Sequence, residues 1–187
     1  MKNLKYLVGS FAFITILSSC SNDNSAPVNE EEVITTVTIT LTPQGGGNAI
    51  ILKSQDLDGD GPNAPTLTVS GNLAAGAVYN GSIDLLNELE TPAESITAEI
   101  EEEALDHQFF FTLTNNTGTV AYAAPFDSNS NPIGINFTVT AGTAGSGTFT
   151  AVLRHQPDKA AEGVSSGNIT NAGGETDVQV SFPIVVQ

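Results

Sequence analysis

Three groups of side chains have the types and spacing to do chemistry. In Asp56-Leu57-Asp58-Gly59-Asp60-Gly61-Pro62, carboxylates stand at i, i+2 and i+4 among glycines. Hard cations such as Ca2+ need several oxygen ligands, and a glycine permits the sharp turn that wraps a chain around the ion. Asp56, Asp58 and Asp60 are therefore a calcium candidate. A twelve-residue calcium loop closes on a bidentate Glu at its last position. Here that position is Leu67, so a closing ligand would have to come from elsewhere. The competing reading is a tight Asp/Gly turn joining two strands. Next, Glu99, Glu101, Glu102, Glu103, Asp106 and His107 cluster at the C-terminal end of the one helix-like segment. Negative charge there opposes the helix macrodipole. Either a bound cation or a basic partner offsets it, or the acids are solvated, the usual fate of a charge run. Finally, His107 and His155 share similar contexts, Asp106-His107-Gln108 and Arg154-His155-Gln156. In strand phase His107 lies with Phe109, Phe111 and Leu113, and His155 with Phe149, Ala151 and Leu153. Both fall at a strand end on the apolar side. A facing His pair could ligate a transition metal or a haem iron, and the alternative is two hydrogen-bonded structural histidines.

Signals for catalysis are missing. There is no Gly-x-Ser-x-Gly elbow, no His-Glu-x-x-His pair and no phosphate-binding glycine loop. Gly45-Gly46-Gly47 opens no predicted helix and reads as a turn. No residue is assigned a catalytic role, and the expectation is a protein that is not an enzyme. The chain has 5 Lys+Arg against 21 Asp+Glu, a net charge of −16. With so few groups to neutralise phosphates, nucleic acid is excluded as a partner. An acidic surface of this kind suits cations or a basic protein surface. The single cysteine excludes a disulfide framework and a cysteine-based structural zinc site.

The elements that must position these groups are strands. Val33, Val37, Ile39 and Leu41 alternate with threonines. Ile133, Ile135, Phe137 and Val139 alternate with Gly134, Asn136 and Thr138, and Val178, Val180, Phe182, Ile184 and Val186 repeat the pattern. Shorter runs at 50–53, 66–70, 77–86, 107–114, 119–123 and 148–155 bring the expected count to about nine. Glycine-rich stretches at 45–47, 142–147 and 163–174 read as turns. The prediction is an all-β antiparallel sandwich over residues 33–187. At this length a single core needs no covalent staples. One short helix interrupts it. Thr91-Pro92-Ala93-Glu94 fits a capping box with proline at the first helical position, and Ile96, Ile100 and Ala104 recur at helical spacing. A helix from about Pro92 to Leu105 is expected.

The first residues read as an address. Lys2 and Lys5 precede a 12-residue apolar run, Tyr6 to Leu17, which is too short to span a bilayer as a helix. It ends in Leu17-Ser18-Ser19-Cys20, which resembles the bacterial lipobox. That resemblance implies removal of residues 1–19 and acylation of Cys20, giving stable anchoring through several acyl chains. Residues 20–32 are polar, close on Glu30-Glu31-Glu32, and read as a disordered tether between lipid and domain.

Two further resemblances extend this. Leu73, six residues before Tyr79, with Ile83 and Leu85 after it, resembles the tyrosine corner of fibronectin type III and immunoglobulin-like domains. It implies an immunoglobulin-like sandwich with Tyr79 in a structural role. Residues 56–65 (DLDGDGPNAP), 79–88 (YNGSIDLLNE) and 107–111 (HQFFF) resemble small lipoproteins of Bacteroidota-type bacteria, often encoded beside TonB-dependent outer-membrane receptors. That resemblance implies a lipid-anchored accessory protein at the outer membrane, capturing a ligand or cation for a receptor, and carries over no catalytic residue. A calcium-stabilised adhesion or structural module is the other function in view.

Overall fold

The computed structural model describes residues 32–59 and 61–187. The leader, Cys20 and all of the tether but Glu32 lie outside the described residues, as does Asp60. The strands run β1 Thr36–Pro43, β2 Ile50–Gln55, β3 Thr66–Val69, β4 Val78–Asn87, β5 Glu94–Ser95, β6 His107–Leu113, β7 Gly118–Tyr122, β8 Asn136–Ala141, β9 Gly145–His155 and β10 Glu175–Val186. The one α-helix among the described residues, α1, covers Ile96–Glu102. All strand pairs are antiparallel. The larger sheet has the order β3-β2-β1-β4-β8-β7 with β5 on β4, and the smaller one is β10-β9-β6. The fold is the expected all-β antiparallel sandwich.

Period-two alternation builds the core. Val37, Ile39 and Leu41 of β1, Ile83 and Leu85 of β4, and Phe137 and Val139 of β8 face inward from the larger sheet. Phe149, Ala151 and Leu153 of β9 and Val180, Phe182, Ile184 and Val186 of β10 meet them from the smaller one. Each such large side chain contributes about 1.5–3 kcal/mol on burial. Phe111 lies at the centre of an aromatic group, with ring centroids 4.3 Å from Phe137 and 5.9 Å from Phe149. Gly81 of β4 stands directly opposite Phe137. The Phe137 ring lies over it so closely that a Cβ would come within 2.3 Å of Cε2. The ring occupies the space where another strand would carry a core side chain. The Tyr79 hydroxyl accepts the Ala74 N–H at 2.8 Å, a bond to backbone five residues upstream of a buried ring.

Several local expectations need correction. Val33 is 50% exposed and precedes the strand, which starts at Thr36. The helix begins at Ile96, not Pro92, because Glu94 and Ser95 pair with β4 as β5. The cap is therefore Ser95, whose side chain accepts the Ala98 N–H, and not Thr91. Its buried face is Ile96 and Ile100, as the spacing predicted. The helix ends at Glu102, short of Leu105, and beyond it the Ala104 carbonyl accepts a bond from the Lys159 ammonium at 2.6 Å. A lysine from a distant loop thus supplies the positive charge that the acidic helix end lacks. The stretch 163–174 is more than a turn. Val164 and Ala172 cover Phe110 on the outer side of β6, and the Val164 carbonyl accepts a bond from Gln108 Nε2 at 2.8 Å.

Candidate metal centre

His107 opens β6 and His155 closes β9, and the two are directly paired across the ladder. The register that places Phe109 opposite Leu153 and Phe111 opposite Ala151 forces this pairing. The ring centroids are 4.6 Å apart, tilted by 35°. His107 is fully buried and His155 is 8% exposed. His107 Nδ1 lies 3.3 Å from the Glu103 carbonyl oxygen. A carbonyl only accepts, so Nδ1 carries a proton, and in the neutral ring Nε2 presents its lone pair on the other side. This is how ligating histidines are oriented in metal sites.

Two carboxylates face Nε2. Glu32 Oε1 is 3.1 Å from His107 Nε2, and Asp177 Oδ2 is 3.8 Å from it. Asp177 Oδ1 is also 3.8 Å from His155 Nδ1. Both carboxylate side chains are more than nine-tenths buried. Among the described residues, Glu32 Oε2 and Asp177 Oδ2 have no hydrogen-bond partner, and His107 Nε2 has only its ionic contacts with the two carboxylates. Buried polar atoms are rarely left so, and each instance calls for a cause. Among the described residues, His107, His155 and Asp177 form one potential ligand group, and Glu32, Glu103 and His107 another, each with its ligand atoms within 4.8 Å of one another.

The charges interact strongly. Burial opposes the imidazolium of His107, but the Glu32 carboxylate, the Glu103 carbonyl and Asp177 outweigh it and raise its pKa. Burial, then the neighbouring Glu32 charge, pushes Asp177 up to about 6 against the pull of both histidines. Both shifts favour the protonated forms of His107 and Asp177.

Asp177 reaches the site through an irregularity. Thr176 pairs with Arg154 and Val178 with Leu153, so Asp177 is the extra residue of a β-bulge. Regular alternation with inward Val178 would point Asp177 outward, and a bulge re-aims it. The Arg154 guanidinium grips the carbonyls of Gly173 and Gly174 and the Thr176 hydroxyl, fixing the start of β10. Gly174 permits the approach: its φ is +65°, and a Cβ there would come within 2.1 Å of the His155 carbonyl oxygen. A cleft of about 640 Å³ between β1–β3 and β10 adjoins the site, lined by Ile34, Val37, Leu67 and Val180 together with Asp56 and Asp177. Asp177 belongs to both cleft and cluster.

The other sequence-derived residues are placed as follows. Glu101, Glu102 and Asp106 are exposed around the helix end. Glu103 is the helix C-cap and contributes its carbonyl to His107. Asp56 lines the cleft, while exposed Asp58 turns back on its own loop. Its carboxylate accepts from Asn63 Nδ2 at 2.6 Å and from the Asn63 N–H. Those bonds, the Asn63 side chain first, hold its pKa below the ordinary value. Asp58 is thus engaged in a turn. The strand phase of the two histidines was legible in the sequence, whereas Glu32 and Asp177 were not. Glu32 was hidden in a polar run read as tether, and Asp177 by the bulge.

Compared with known proteins, the chain matches no protein-family profile, no curated protein and no solved structure.

Proposed function

We propose that this protein is a lipid-anchored, acidic cation-binding protein of the bacterial outer membrane, one that binds rather than catalyses and serves an outer-membrane receptor. The observation that carries the binding reading is the cluster of His107, His155, Asp177 and Glu32. His107, His155 and Asp177 bring ligand atoms within 4.8 Å of one another, and Glu32 Oε1 meets His107 Nε2 at 3.1 Å. Burying two carboxylates together costs several kcal/mol unless something positive lies between them, and a divalent cation offsets both charges at once. The anchoring part of the proposal rests on Leu17-Ser18-Ser19-Cys20 and the charged, apolar leader before it. The acidic surface favours cations over phosphates. The role beside a receptor rests on the likeness of residues 56–65, 79–88 and 107–111 to receptor-associated lipoproteins.

The test is thermal unfolding of the detergent-solubilised full chain, metal-stripped and then titrated with Ca2+, Mn2+, Ni2+ and Zn2+. An ion binding only the folded state, at 100 times its Kd, adds about 2.7 kcal/mol. For a domain of this size that is a shift of about 5–10 °C in Tm. At least one ion should raise Tm, and Asp177→Asn should remove the effect. If no ion moves Tm, the cluster is a proton-sharing structural network and the proposal falls.

A further inference from the structure

We propose that the open edge of β10 beside the cleft is a docking surface for an extended, positively charged segment of a partner protein, which adds there as a further strand. The proposal goes beyond cation binding and does not depend on an ion.

The backbone supplies the edge. β10 pairs with β9 on one side only, so its other side presents a row of N–H and C=O groups. Part of that row is taken. The Val185 carbonyl accepts the Leu73 N–H, and the Gln187 N–H donates to the Leu73 carbonyl, both at 2.9 Å. Leu73 thereby forms a parallel bridge to Val186. Along an antiparallel strand the backbone groups of successive residues point to opposite sides. The register of β10 on β9 is unbroken from Val178 to Val186. The groups of Gln179, Ser181 and Pro183 therefore point the same way as those of Val185. Pro183 has no N–H and ends the row. Gln179 and Ser181 keep both groups, and among the described residues nothing pairs with them on that side. Both residues line the cleft.

The cleft selects the occupant. Val178 to Ser181 spans about 10 Å at about 3.3 Å per residue, so three or four residues of an extended chain lie against it. Main-chain bonds to Gln179 and Ser181 hold such a segment, and alternate side chains reach the apolar walls of Ile34, Val37, Leu67 and Val180. The charged residues of the lining are Asp56 and Asp177, and no basic side chain lies among them. The basic groups of the described residues are engaged elsewhere: Lys53 lies 3.7 Å from Glu88, Arg154 holds the Gly173 and Gly174 carbonyls, and Lys159 is the interior counterion of Asp127. Lysine or arginine on the incoming segment meets this negative charge. The same charge disfavours the other occupants. A second copy brings a net −16, and residues 21–31 of this chain carry Asp23, Glu30 and Glu31 with no Lys or Arg.

The experiment uses the full chain in detergent and metal-free buffer, so its result is separate from that of the ion titration. The probe is a capped peptide of alternating Lys and Val, with the Glu/Val peptide as control. Affinity is measured by calorimetry and amide hydrogen exchange by NMR. Expected are one Lys/Val peptide per chain, slowed exchange of the Gln179 and Ser181 amides on binding, and no binding of the Glu/Val peptide. Ser181→Pro removes one donor without breaking a bond to β9, as Pro183 does on the same edge. It should weaken the Lys/Val peptide by about fivefold, the loss of one hydrogen bond. Asp56→Lys, which alters no strand, should weaken it as well. Circular dichroism checks that both variants fold. If the peptide binds but neither the two amides nor the variants respond, it sits elsewhere and the proposal is overturned. If the two amides are already protected in the free chain, this chain or a second copy covers the edge, which overturns it too. Failure of the Lys/Val peptide to bind, or equal binding of the Glu/Val peptide, has the same consequence.

Discussion

Replacing Lys159 with methionine tests the electrostatic logic of the fold away from the histidines. The Lys159 ammonium donates to the Ala104 carbonyl at 2.6 Å, Asp127 Oδ2 at 3.1 Å and the Pro132 carbonyl at 3.2 Å. All three donors are used. The side chain is 5% exposed and that of Asp127 is fully buried. Methionine keeps most of the volume and removes the charge, leaving Asp127 without a counterion. Breaking a buried pair this way costs about 3–5 kcal/mol, against about 0–1 for an exposed pair. Asp127 Oδ1 keeps the N–H groups of Asn129 and Asn131, at 2.9 and 2.8 Å. The lower end, about 3 kcal/mol, is therefore expected, a fall in Tm of about 6–12 °C. Urea unfolding gives the number directly, and the double variant Asp127→Asn/Lys159→Met should recover part of the loss, since the orphaned charge has gone. The pH dependence has a defined sign. Burial alone would raise the Asp127 pKa, but the Asn131 N–H, Lys159 and the Asn129 N–H together lower it. A carboxyl depressed in the folded state contributes stability above its unfolded value of about 3.9, and that contribution is lost as pH falls through the folded value. The gap between the native chain and Lys159→Met should close over that acid range. A cost below about 1 kcal/mol at neutral pH, or a gap that widens in acid, would refute the account of Lys159 as an interior counterion.

Other expectations follow from single contacts. Gly81→Ala should destabilise by about 1–3 kcal/mol through collision with the Phe137 ring, with partial recovery in Gly81→Ala/Phe137→Leu, both read by urea unfolding. Tyr79→Phe should cost about 1–3 kcal/mol, because the Ala74 N–H loses its acceptor; an unchanged denaturation midpoint would show that water replaces the hydroxyl. Gly174→Ala combines a left-handed backbone with a collision at the His155 carbonyl and should lower stability by at least about 1 kcal/mol, whereas Gly173→Ala, which has open space around it, should cost only the left-handed strain.

The fold was legible because most of the strands are half-buried ribbons whose alternation survives in the primary structure. Thr36–Thr42 against Val37–Leu41 is the plainest case. The histidines were legible for the same reason: phase placed each on the apolar side of a strand, and their positions at strand ends were right. Register was not legible, because nothing local says that residue 107 faces residue 155. Ser95 was passed over as a helix cap because Thr91-Pro92 satisfies the local rule better. The backbone of Glu94 and Ser95 is instead committed to β4, a long-range pairing that overrides propensity. Lys159 gave no signal either. In an acidic chain a lone lysine in a loop reads as surface, and only the three oxygens converging on it show otherwise. Glu32 and Asp177 were hidden by opposite means, one in a segment with no periodicity and the other in a strand whose periodicity is broken by one residue.

That broken period separates the inheritance of the site from the inheritance of the fold. Asp177 is supernumerary to the ladder: remove its codon and Thr176 still meets Arg154, Val178 still meets Leu153, and the core keeps its register. A substitution among Phe149, Leu153 or Phe182 would have to be absorbed by the packing of the whole sandwich, but a three-base deletion at position 177 asks nothing of it. Descendants of this chain could shed the cluster, or regain it, in one genetic step while remaining the same sandwich, so among kindred chains the length of the segment between Gly174 and Val178 would be a better marker of the site than either histidine.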